Sequence, residues 1–239
     1  MYREEYLDED VKWKDWRSTN ILVYDCESTG IDPLEARICQ FSAKLITIGD
    51  KGVIDQAKPV NFYINCEVEI PEEASNIHQV WEKDRLSFPT LTEDIEGEDF
   101  APIDSIMSLW DQADIICGYN ILNYDNILIE EELKRRGEKL YPKPSLDLIV
   151  WYRAYTQRFS KSKLSDACKK FGVSYMAQVA YGKLDLHDSK VDVDSTAELC
   201  YQMSRKAITA HCVRDLVTMQ NERFVKQEEY RLKKYGSKK

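Results

Sequence analysis

Residues 21–30 read ILVYDCESTG, an apolar run that leads straight into two carboxylates, Asp25 and Glu27. Alternate residues of a strand face the same side, so both acids point together at the end of a buried strand. Two such groups repel each other and lose hydration. A divalent cation that takes oxygen ligands, such as Mg²⁺, relieves both costs. Taken alone, the same spacing also fits two solvated acids at a strand end. Gly30 favours the cation reading, because glycine lets the backbone turn close to a ligand.

Two further segments supply acids. In GYNILNYD (118–125), Asp125 opens a helix, where the N-terminus favours a nearby anion; ordinary first-turn charge is the plainer alternative. Asn120 in the same loop is suited to pinning the backbone. In LHDSKVDVDSTAEL (186–199), His187 and Asp192 stand five apart. Five helical steps rotate by about 140°, so the two converge only if His187 lies on a loop and Asp192 on the helix that follows. Asp188 and Asp194 read as cap acids. Four carboxylates and one imidazole amount to a metal site with a general base.

The elements that must position these residues follow from turn signals and periodicity. Extended runs at 20–25, 37–48 and 53–65, separated by Gly30–Pro33 and Gly49–Gly52, predict a three-stranded meander. An acidic loop spans 91–104, a helix covers 102–113 and a short strand follows at 114–117. A helix is expected over 123–137, with Glu130, Glu131 and Glu132 at pairing distance from Lys134, Arg135 and Arg136 and with Gly137 as its stop. Further helices are expected near 147–158, 162–171, 192–205 and 207–230. Strands followed by helices with one more strand point to an α/β fold, a mixed sheet flanked by helices.

Composition bounds the reading. The chain has 239 residues and a net charge of −9, which disfavours a general duplex-DNA binder but not an enzyme whose acidic centre is offset by metal ions. Seven cysteines without CxxC spacing read as reduced, mostly buried thiols, and three histidines away from cysteine pairs argue against structural zinc. The polar start MYREEYLDED is unlike a signal peptide, and no stretch reaches the roughly 18–20 apolar residues of a membrane span. A cytoplasmic protein is expected.

At these residues the sequence resembles the DEDDh (DnaQ-like) superfamily of 3′–5′ exonucleases, and within it the bacterial exonuclease I branch. Asp25-Cys-Glu27-Ser28-Thr29-Gly30 matches the first motif, D-x-E-T/S-x-G. Gly118-Tyr119-Asn120 through Asp125 matches the second, with Tyr124 where phenylalanine is usual. His187 to Asp192 matches the third, H-x-x-x-x-D. IPEEASNIHQVW (70–81), with Gln79 in place of a usual glycine, SLDLIVWYRAY (145–155) and SKLSDACKKFGV (162–173) agree less specifically. His211 and Asp215 form a second, helical His–Asp pair, similar to the third motif of the tyrosine branch.

The resemblance implies a ribonuclease H-like fold and an exonuclease domain over 20–205, between an N-terminal arm (1–19, with Trp13 and Trp16 as anchors) and a C-terminal helical extension with a basic tail (206–239). It implies two Mg²⁺ or Mn²⁺ ions held by Asp25, Glu27, Asp125 and Asp192, with His187 as general base. Ser28, Thr29, Tyr119 and Asn120 are expected beside the terminal nucleotide. Arg153, Arg158, Lys161 and Lys163, interleaved with Trp151, Tyr152, Tyr155 and Phe159, would track phosphates while the aromatics stack bases; an amphipathic helix with buried aromatics is the alternative. The expected partner is the 3′ end of single-stranded nucleic acid, DNA first, with a DNA polymerase or replication and repair proteins as further partners. The expected function is metal-dependent release of nucleoside 5′-monophosphates. An RNA-trimming exonuclease and an inactive nucleic-acid-binding or polymerase-associated module are the alternatives.

Overall fold

The computed structural model describes residues 18–96, 101–157, 162–175 and 187–206. The arm with Trp13 and Trp16, the helix expected over 207–230, and Arg158, Phe159, Lys161, His211 and Asp215 lie outside the described residues.

The first strand, β1 (Ile21–Ser28), pairs antiparallel with the long β2 (Ile38–Ile48). β2 is buried along almost its whole length because both faces of the sheet are covered. The expected run 53–65 forms two short strands, not one. β3 (Val53–Asp55) pairs with the end of β2, and β4 (Val60–Tyr63) pairs with its beginning. Pro59 lies between them and has no N–H to give the ladder.

Two short helices not expected from the sequence follow, α1 (Glu72–His78) and α2 (Glu82–Arg85), then α3 (Pro102–Gln112). β5 (Ile115–Gly118) returns parallel to β1, and β6 (Ser145–Asp147) adds parallel to β5. No strand is expected there from the sequence, and only Asp147 of β6 falls within the helix expected near 147–158. Three residues carry too little alternation to read as a strand.

The order is β3-β2-β1-β5-β6, with β4 also on β2: a six-stranded mixed sheet flanked by helices. The remaining helices are α4 (Asp125–Lys134), α5 (Leu148–Thr156), α6 (Leu164–Phe171) and α7 (Ser189–Lys206).

Strand alternation sorts the two cores. Ile21 and Val23 of β1 join Ile46 and Ile48 of β2, Ala167 and Phe171 of α6, and Val193, Ala197 and Cys200 of α7. Leu22, Tyr24 and Cys26 face the other way, onto Phe41, Ile106 and Trp110 and onto Leu128 and Ile129 of α4. Gly118 lets the exit of β5 lie against β1, since a Cβ there would stand 2.1 Å from the Ile121 side chain and 3.0 Å from the Tyr24 carbonyl oxygen. The six cysteines among the described residues are buried and free. Among the described residues no helix is long and apolar enough to cross a membrane.

Candidate active site

The site grows from one change of chemistry along β1. On its α7-facing side the residues run Ile21, Val23, Asp25, Glu27: two apolar, then two acidic. Their cross-strand neighbours change with them, since Asp25 lies opposite Ser42 and Glu27 opposite Gln40. Asn61 and Tyr63 of β4 continue the two rows. Apolar packing of α7 therefore holds the sheet below, while the N-terminus of α7 meets a polar surface above.

Side-chain hydrogen bonds fix that meeting. Ser42 Oγ and Ser189 Oγ are 2.7 Å apart, and Ser42 Oγ donates to Asn61 Oδ1 at 2.8 Å. Asp188 caps α7 by accepting from the Lys190 and Val191 N–H groups at 3.0 and 3.4 Å. His187 precedes the helix, and its N–H donates to the Ile77 carbonyl at the end of α1 at 3.0 Å. Asp192 sits in the first turn of α7. The loop histidine and helical acid thus converge as their spacing requires, with His187 Nδ1 3.4 Å from Asp192 Oδ2.

Asp125 arrives from the opposite side of the sheet. β5 pairs with β1 only as far as Val23. Beyond that point the Cys26 N–H, between the two β1 acids, donates to Asp125 Oδ1 at 3.0 Å. Leu128, Ile129 and Leu133 anchor α4 in its core and so carry its first residue to β1.

Asp25, Glu27, Asp125 and Asp192 are thereby gathered into one electrostatic cluster. Burial raises Asp25 well above the ordinary carboxylate range, and Asp125, Asp192, Glu27 and Asp188 push it further. Glu27 is raised by burial and then by Asp192, Asp125 and Asp188. Asp125 is pushed up to about 7 by burial, despite the N–H it receives from Cys26.

Among the described residues no lysine or arginine is ion-paired with these four acids. Glu27 Oε1 is buried and has no hydrogen-bond partner among the described residues. The donor atoms of Glu27, His187 and Asp192 lie within 4.8 Å of one another. A hard, oxygen-seeking dication suits this set of carboxylates.

The other expected site residues fall into distinct places. Ser28 is buried, its hydroxyl donating to the Gly30 carbonyl at 3.0 Å and lying 2.5 Å from the Tyr124 hydroxyl. The Tyr124 hydroxyl also donates to that carbonyl. The tyrosine that stands where phenylalanine is usual thus ties the second acidic segment to the turn after β1. Glycine is not required at position 30: a Cβ there would meet only the Ala36 Cβ, at 4.0 Å. Thr29 is half-buried and exchanges hydrogen bonds with Arg37, its Oγ1 accepting from the Arg37 N–H at 3.0 Å.

Asn120 has φ 73° and donates its backbone N–H to Asp147 Oδ1 at 2.7 Å. The Tyr119 hydroxyl donates to the Ser162 carbonyl at 2.8 Å, and Arg153 Nε donates to Ser162 Oγ at 3.1 Å. Lys163 is exposed at the start of α6. Of the aromatics interleaved with these cations, Tyr152 is buried and Trp151 half-buried, while Tyr155 is exposed and packs against Phe171. α5 therefore has the amphipathic character of the plainer alternative.

Two buried groups escaped the sequence reading. Asp147, fully buried, accepts from the N–H groups of Asn120, Leu122 and Ile149 and so holds the loop that leads to Asp125. Burial raises it to about 6. An Asp directly before a helix was its only local signal, and such caps are common. Tyr175 donates to Asp192 Oδ1 at 2.8 Å, a contact no local pattern announces.

Comparison with known proteins accords with this geometry. A family model described as exonuclease, RNase T, matches residues 22–200. A PolC-type DNA polymerase III from Ureaplasma parvum serovar 3 is 24% identical over 164 residues, which are 67% of this chain and 10% of the polymerase. Escherichia coli exonuclease I in complex with a 5cy-dT13 oligonucleotide superposes with a TM-score of 0.61 at 18% identity, over 84% of this chain and 42% of that one. The zinc-bound exonuclease I–ssDNA complex gives 0.63 at 20% identity, over 79% and 41%. The chain thus spans about a tenth of the polymerase and about two fifths of exonuclease I. With the family match covering most of its length and a ribonuclease H-like sheet beneath the acids, this chain belongs to the RNase T exonuclease family of the DEDD superfamily.

Proposed function

We propose that this domain hydrolyses single-stranded DNA from its 3′ end, in a metal-dependent reaction that releases nucleoside 5′-monophosphates. The observation that carries the reading is the convergence of Asp25, Glu27, Asp125 and Asp192 from three separate segments, with the buried Glu27 Oε1 left without a hydrogen-bond partner among the described residues. Those four carboxylates would hold Mg²⁺ or Mn²⁺, two ions balancing four negative charges. Such ions, when bound, stabilise charge on the attacking and leaving oxygens of a phosphodiester.

The chain's own groups supply the rest. His187 is half-exposed beside Asp192 and faces the solvent from which the attacking water comes. An imidazole can take up a proton near neutral pH, which suits a general base. The backbone tie of His187 to Ile77 keeps it at the mouth of the cluster. The turn at Ser28–Gly30, stapled by Tyr124 and Arg37, offers a fixed backbone edge beside the acids for the terminal nucleotide.

The test is a time course on one oligonucleotide carrying a label at either end, with Mn²⁺ or with EDTA. The 3′ label is expected to leave at once as a mononucleotide, while the 5′ label shortens stepwise, and EDTA stops both. Products that start from the 5′ end, or strand binding without cleavage in Mn²⁺, would contradict the reading. A matched RNA in the same assay settles the sugar, because discrimination rests on contacts to the 2′-OH.

A further inference from the structure

Besides the Cys26 N–H on Asp125, a side-chain hydroxyl also donates into the cluster of acids. Tyr175 follows α6, where Gly172 at φ 77° ends the helix and the Val173 N–H turns back to the Cys168 carbonyl at 2.9 Å. That reversal buries Val173 and Tyr175 in the core shared by α6 and α7. The Tyr175 hydroxyl then donates to Asp192 Oδ1 at 2.8 Å. The opposite oxygen, Oδ2, is the one turned toward His187, at 3.4 Å.

We propose that Tyr175 is a positioning residue for the metal site: its hydroxyl occupies one Asp192 oxygen and fixes the carboxylate plane, so that the other oxygen faces Glu27 and His187. This deepens the metal-dependent reading and rests on it. Asp192 alone would lack this constraint. It stands on the first turn of a helix, where an acid's side chain is free to turn outward to solvent or back to the helix N–H groups. Partners of this kind that orient metal-holding carboxylates typically change metal affinity or activity about 10–100-fold when removed.

The experiment is calorimetric titration of Mn²⁺ into the EDTA-stripped full chain, wild type against Tyr175→Phe, with Tyr141→Phe as a control at an exposed ring. Phenylalanine keeps the ring in its core position, and circular dichroism checks the fold. Tyr175→Phe is expected to weaken Mn²⁺ binding about ten-fold or more. The Mn²⁺ dependence of the rate should shift by the same factor, with kcat largely restored at saturating metal and KM for the oligonucleotide unchanged. The control is expected to match the wild type. Equal Mn²⁺ affinity in Tyr175→Phe and wild type would overturn the assignment while leaving the nuclease reading intact. A wild-type chain that binds no Mn²⁺ would overturn both.

Discussion

Two regions of this molecule bury carboxylates, and they treat them in opposite ways. Glu132, in α4, is almost fully enclosed and is surrounded by Arg37, Arg135 and Arg136. Burial pushes its carboxyl up, but the Arg37 hydrogen bond and the charges of Arg136 and Arg37 outweigh that and hold it below its ordinary value. The β1 cluster has no such company among the described residues, and Asp25, Glu27 and Asp125 are all raised. One region is neutralised by the fold itself. The other is left without a cationic partner among the described residues.

The largest expected contrast is catalytic. Asp25→Asn should lower exonuclease activity by about 10³-fold or more, above the range that one lost electrostatic contact costs, as read on a 3′-labelled oligonucleotide. In EDTA the same variant should melt higher than wild type, by roughly 2–4 °C for each kcal/mol of repulsion relieved. Glu132→Gln should do the reverse. It takes the shared carboxylate from three partly exposed guanidinium groups, two of which keep Glu67, at a cost of about 1.5–3 kcal/mol or roughly 3–12 °C in Tm, and Mn²⁺ should not restore the loss.

pH sharpens the comparison further. A carboxyl raised on folding contributes stability that is present below its unfolded value and lost as pH rises through its folded value. Asp125 rises from an ordinary 3.8 to about 7, and Asp25 and Glu27 rise in the same direction. In EDTA, Tm should therefore fall between about pH 4 and pH 7. Mn²⁺ should flatten that slope by taking the place of the protons. A Tm independent of pH in EDTA would mean that the acids are not held together in the metal-free fold.

The smallest expected effect is Tyr124→Phe, which removes only the hydroxyl joining Ser28 and Gly30. It should cost about 1 kcal/mol and raise KM for the oligonucleotide a few-fold without changing Mn²⁺ affinity.

The same comparison explains what the sequence disclosed. Asp25 and Glu27 were legible because a strand's two-residue period alone aims them together after Ile21 and Val23. His187 and Asp192 were legible because their five-residue spacing allows one arrangement, a loop before a helix. The pairing of Glu132 with Arg135 and Arg136 was legible from helix spacing, but its burial was not, because Arg37, 95 residues away, supplies what makes that burial tolerable. Tyr175 and Asp147 were hidden for a similar reason: each acts on a backbone or side chain that only tertiary packing brings near. The run 53–65 lost its continuity at Pro59, and β6 was too short to show a period. Local patterning thus carried the strand and helix faces, and long-range polar partners stayed invisible.

The most direct test of the central claim is the number of Mn²⁺ ions that the EDTA-stripped wild-type chain takes up, measured by calorimetry near pH 7.5. Two ions per chain, reduced to one or none in Asp25→Asn, is the predicted result. No uptake, or uptake unchanged by Asp25→Asn, would contradict it.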